Sequence, residues 1–134
     1  HYAERRLREN EERYRWLTRN ASDMIARHDH LGYFMDVSSA CQVVTGYMPG
    51  SLIGHALATF VHEDDVSKVE QAVRDCSDLQ KPLTVIYRWR NLDRTTRWLE
   101  TTFSSINSRE QNSNFSSEDR EISTVTRDIT WRRH

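Results

Sequence analysis

Leu83-Thr84-Val85-Ile86-Tyr87-Arg88-Trp89-Arg90 is the stretch whose reading decides the fold. Leu83, Val85, Tyr87 and Trp89 alternate with Thr84, Ile86, Arg88 and Arg90, the period-two pattern of a strand with one face in a core. Asn91-Leu92-Asp93-Arg94 supplies a turn. Thr96 to Ile106, with Trp98, Leu99, Thr101, Thr102 and Phe103, then reads as a second long strand, so the two make a hairpin. Downstream, residues 107–121 are rich in Ser, Asn, Glu and Arg and read as an exposed, mobile loop. A last strand is expected over 122–129, after which the tail turns helical or leaves the domain.

Upstream of the hairpin the period changes. Val66, Val69, Ala72, Val73 and Cys76 fall at helical spacing, behind His62-Glu63-Asp64-Asp65, whose acids suit a helix start. Residues 38–61 are broken by Gly46, Pro49, Gly50 and Gly54 into short helical pieces, with Ser38 or Ser39 placed to cap the first. Met24, Ile25, Ala26 and His28 read as a short strand, joined through a turn at Asp29-His30-Leu31-Gly32 to a second over 33–37. Residues 2–18 are dense in Arg, Glu and Leu and carry Leu7, Tyr14 and Leu17 at heptad-like spacing. That stripe is too narrow to bury the helix in a large core, so it should pack on a sheet or pair with a second copy of itself. The helices are thus segregated from five antiparallel strands, which makes the class α+β.

The chain has 134 residues, enough for one ordinary core. Nineteen Lys and Arg against twenty Asp and Glu leave a net charge of -1, with no basic excess to neutralise phosphates, so nucleic acid and anionic membrane are not expected partners. Two cysteines are too few for a disulfide scaffold and fit a reducing cytoplasm. No apolar run approaches the roughly 20 residues that span a bilayer, so the piece is expected to be soluble, with no direct membrane insertion. Both ends are abrupt and charged, as in an excised module.

Several segments, taken in order, resemble the PAS sensor family. They are Glu11-Glu12-Arg13-Tyr14-Arg15-Trp16-Leu17, Asn20-Ala21-Ser22-Asp23-Met24-Ile25, Val37-Ser38-Ser39-Ala40, the Gly-Tyr-x-Pro-like run from Thr45 to Gly54, Val61-His62-Glu63-Asp64-Asp65, Tyr87-Arg88-Trp89-Arg90, Arg97-Trp98-Leu99-Glu100 and Thr126-Arg127-Asp128-Ile129-Thr130. Ser39 and Glu63 replace prolines usual in that family, and Asp93-Arg94 lacks the usual Asp-Gly, which implies a looser hairpin turn. The resemblance implies a flanking helix over 1–19, a PAS domain over 20–130 and the start of a linker to an output domain at 131–134. It implies a homodimer, with Leu7, Tyr14 and Leu17 as the seam, and a signal exit at Asp128, Ile129 and Thr130. The output implied is a histidine kinase or a diguanylate cyclase of the GGDEF type in a cytoplasmic, bacterial-type signalling protein, and the alternative is a ligand-free dimerisation or protein-interaction spacer.

By position, a pocket of that family would be lined here by Met24, Ala26, Met35, Val44, Phe60, Val73, Tyr87 and Phe103, although large apolar residues more often fill a dry core. Flavin-binding relatives carry an adduct-forming cysteine ahead of the longer helix, and residues 54–61 have none. Haem-binding relatives ligate iron from that helix, which has no histidine over 66–76, and His55 and His62 are out of register. Neither cofactor is expected. His28 and His30 sit at a spacing that could share a metal, but no third or fourth ligand is signalled. His62 with Asp64 and Asp65 reads as loop and helix-start geometry, and Cys41 and Cys76 as small core hydrophobes. No catalytic residue or metal site is expected, so the fragment itself is not an enzyme.

Overall fold

Side chains that alternate or recur on one face set the elements, and the computed structural model describes them over residues 23–107 and 120–133. Strands β1 (Met24–His28), β2 (Phe34–Val37), β3 (Leu83–Arg90), β4 (Thr96–Asn107) and β5 (Arg120–Asp128) form one antiparallel sheet in the order β2-β1-β5-β4-β3. The α+β expectation therefore holds, with β5, last in the chain, inserted at the centre. Helices α1 (Cys41–Thr45), α2 (Pro49–Leu52) and α3 (Val66–Leu79) and two 3₁₀ turns, Leu57–Phe60 and Glu63–Asp65, cover one face. The core lies between them and includes Met24, Phe34, Leu52, Phe60, Val69, Tyr87, Trp89, Leu99, Phe103 and Ile122.

Two local expectations are corrected, at the start of α1 and at the hairpin turn. Ser38 and Ser39 do not cap α1: Ala40 stands at its N-cap with no side-chain bond, while the Ser38 hydroxyl accepts the Ile25 N–H at 3.0 Å where β1 runs past the end of β2. The acidic run does open α3, with Asp65 at its N-cap. Its buried carboxylate accepts from the Arg88 backbone N–H at 2.8 Å and from Nε and Nη2 at 3.0 Å each, tying the start of α3 to β3. The hairpin turn is not loose. Asp93 Oδ1 accepts from the Thr95 N–H and hydroxyl, and Arg94 takes a φ of 69°, the left-handed conformation that glycine would adopt without strain.

Two close approaches fix how the layers meet. Gly46 ends α1 at φ 80°, and a Cβ there would lie 2.2 Å from Asn91 Oδ1, so only glycine lets α1 abut the β3–β4 turn. The start of β2 is covered on its outer edge by segment 54–57, through Phe34 N–H to His55 O, Gly54 N–H to Phe34 O and Leu57 N–H to Gly32 O.

Candidate functional site

Two regions are placed by this frame: the interior between sheet and helices, and the point where the chain leaves β5. In the interior the alternation of β3 turns Tyr87 and Trp89 inward. Phe60 stacks on Trp89 at 5.1 Å between ring centres and 11° between planes; Tyr47 meets Phe60 edge-on at 5.0 Å, and Phe34 meets it at 6.3 Å. Such offset and edge contacts add to the area they bury. Trp89 Nε1 is buried without an acceptor among the described residues.

Beside this aromatic wall runs a polar row. The Tyr87 hydroxyl bonds Thr101 Oγ1 at 2.8 Å, and Thr101 Oγ1 bonds Thr126 Oγ1 at 2.8 Å, all of them buried. Burial pushes the Tyr87 phenol up to about 12. His28 Nδ1 lies 3.1 Å from the Gly32 carbonyl, which can only accept, so Nδ1 carries the proton and Nε2 accepts from the Thr124 hydroxyl at 2.9 Å. Desolvation lowers its pKa to about 4 and keeps the ring neutral. Both ring nitrogens are thereby committed, and His30 sits in the following turn.

Of the residues expected to line a pocket, Met24, Ala26, Val44, Phe60, Val73, Tyr87 and Phe103 belong to the one core cluster. Met35 does not: it is 42% exposed. The pairing passes from Arg27↔Asp36 to His28↔Phe34, so Met35 is the extra residue of a bulge that turns Phe34 inward in its place. The seam residues Leu7, Tyr14 and Leu17 lie outside the described residues, as does most of the 107–121 loop. Cys41 and Cys76 are fully buried, with the Cys41 thiol donating to the Tyr47 carbonyl, and burial raises both thiol pKa values.

At the exit, short-range polar bonds replace packing. The Ile129 N–H donates to the Trp98 carbonyl at 2.9 Å, and the Trp98 N–H donates to Thr130 Oγ1 at 3.0 Å. Thr130 in turn gives both its N–H (2.9 Å) and its hydroxyl (2.6 Å) to Asp128 Oδ1. Ile129 is buried, and the 3₁₀ turn Thr130–Arg133 starts from this knot. Two arginines join the knot to the helical layer. Arg97 Nη1 donates to the Val43 and Val44 carbonyls of α1 at 2.5 and 2.9 Å and lies 3.9 Å from Asp128 Oδ2. Arg88, held by Asp65, places its guanidinium 5.5 Å from the centre of the Trp98 ring. Arg97, Arg88, Asp65 and Trp89 were not singled out as site residues by sequence. Charged positions inside β3 and β4 hinted at Arg88 and Arg97, the strand alternation at Trp89 and the acidic helix start at Asp65.

A five-stranded sheet of this order, roofed by short helices on one face and left through a hydrogen-bonded turn, has the architecture of a sensor domain. A family model described as "PAS fold" matches residues 34–116, more than half of the chain, and the chain belongs to the PAS family. It is 31% identical over 87 residues to the blue light receptor lreA of Aspergillus flavus, covering 65% of this chain and 10% of that protein. It is 26% identical over 85 residues to the White collar 1 protein of Neurospora crassa, covering 63% and 7%. The chain thus spans a tenth or less of these two relatives. Among solved structures, the PAS-B domain of Drosophila melanogaster Cycle with bound ethylene glycol superposes with a TM-score of 0.69 at 19% identity over 79% of this chain and 99% of that one. A sensory box histidine kinase/response regulator of Burkholderia thailandensis gives 0.67 at 20% over 90% and 87%. At those identities the likeness is one of fold. No helix among the described residues is long and apolar enough to cross a membrane.

Proposed function

We propose that this chain is a PAS sensory and dimerisation module that passes a change in its core to a covalently attached output domain through the segment after Asp128. The observation that carries this reading is the exit knot: Asp128 and Thr130 bind the departing turn to Trp98, on the strand beside β5. A segment so held follows the sheet, and a ligand or partner with roughly 1–3 kcal/mol of preference for one packing biases it. The output is a histidine kinase or a diguanylate cyclase, and the likeness to a sensory box histidine kinase favours the first. The location is cytoplasmic, and the dimer forms through Leu7, Tyr14 and Leu17. The knot favours this relay over a passive spacer.

The named light receptors among the relatives raise photochemistry as a second reading. The thiols here are not placed for a cysteinyl flavin adduct: neither lies in the segment ahead of α3, Cys41 standing in α1 with its thiol on the Tyr47 carbonyl and Cys76 within α3. Haem finds no histidine on α3, and both nitrogens of His28 are engaged. Native mass spectrometry of the purified chain, with a visible absorption scan, tests these readings. A dimer that keeps a colourless small molecule until denaturation supports a chemoreceptor. A bare dimer supports a relay driven by a partner, a monomer overturns the seam, and visible absorption of a bound chromophore overturns the cofactor reading.

A further inference from the structure

We propose that Arg97 is a toggle that writes the position of α1 into the exit segment, a positioning role that rests on the relay reading above. The guanidinium is shared unequally between two sets of acceptors. Nη1 spends its hydrogens on the Val43 and Val44 carbonyls, at the C-terminal end of α1. Asp128 Oδ2 waits at 3.9 Å, beyond hydrogen-bonding distance, while Oδ1 of the same carboxylate is occupied by both donors of Thr130. A guanidinium and a carboxylate bind most tightly as a two-pronged pair, so the present arrangement leaves a stronger one unmade.

Helix α1 is suited to be the moving part. It has five residues and no side-chain cap, so little of its stability is its own. Cys41 and Val44 reach into the core beside the aromatic wall, Val43 is exposed, and Gly46, at φ 80°, ends the helix beside Asn91. When a change in the core draws the α1 carbonyls away, the Arg97 fork closes on Asp128. It then competes with Thr130 for that carboxylate, and Thr130 holds the Trp98 N–H. Coupling of this kind acts equally in both directions. A change at Asp128, which touches no part of α1, must therefore alter α1.

Amide hydrogen exchange on the 134-residue chain tests this. In Asp128→Asn the competing charge is gone and Arg97 commits to the α1 carbonyls. Exchange at Val44 and Gly46 should slow about five- to tenfold while that at Thr130 quickens. In Arg97→Lys, whose ammonium is a point charge without the planar fork that grips both carbonyls beside Asp128, Gly46 and Thr130 should lose protection together. Unchanged or faster exchange at Val44 and Gly46 in Asp128→Asn overturns the toggle. If Thr130 still loosens in that variant, the anchoring of the exit stands, so the relay reading survives that failure.

Discussion

The interior and the exit are built from opposite materials. The interior is an aromatic wall of Phe34, Phe60, Tyr47 and Trp89, where stability scales with buried area. The exit is a half-buried lattice of Trp98, Asp128 and Thr130, in which each bond contributes only about 1 kcal/mol. A packed core resists small displacements, whereas a few directional bonds can exchange partners at little cost. The domain thus puts its stability in one place and its adjustable contacts in another.

The largest effect that would sharpen this contrast lies in the wall. Trp89→Ala should cost about 3–5 kcal/mol in chemical denaturation. A loss below about 1 kcal/mol would mean that the stack contributes little.

Acid separates the regions next. The folded pKa of His28 is about 4 against an ordinary 6.5, so between these values the unfolded chain binds the extra proton. Stability is therefore fully present above pH 6.5 and falls by about 1.4 kcal/mol per pH unit towards pH 4. Asp65 behaves differently. Its carboxyl, held at about 2 chiefly by the Arg88 hydrogen bonds, contributes stability that is fully present above its ordinary 3.8 and is lost as pH falls from there through about 2. Denaturant midpoints measured from pH 7 to 4 should slope in the wild type and flatten in His28→Gln; equal slopes would remove the buried histidine from the explanation.

Smaller effects belong to the surface. Arg94→Gly relieves a positive φ and should stabilise by about 0.5–1 kcal/mol, read as a rise in melting temperature. A fall would show that the Arg94 side chain matters more than its backbone.

How much of this was legible follows from the same contrast. Period-two alternation in Tyr87 and Trp89 and helical spacing in Val69, Val73 and Cys76 report burial directly, so the strands, α3 and most of the core could be read, but not the order that puts β5 at the centre. Met35 could not, because a bulge inverts the parity of a four-residue strand and nothing in Phe34-Met35-Asp36-Val37 marks it. The exit residues Asp128 and Thr130 were visible through family resemblance. Their partner Arg97 was not, because its acceptors are backbone carbonyls far away in sequence, and a carbonyl leaves no trace in residue identity.

The most direct test of the division between stabilising core and adjustable exit is hydrogen exchange in Thr130→Val, which keeps the shape of the side chain and removes the hydroxyl between Trp98 and Asp128. The expected result is faster exchange at Trp98 and Ile129, with the centres of β3 and β4 as protected as before and a global cost of only about 1 kcal/mol. Exchange rising throughout the sheet, or unchanged at Trp98 and Ile129, would contradict it.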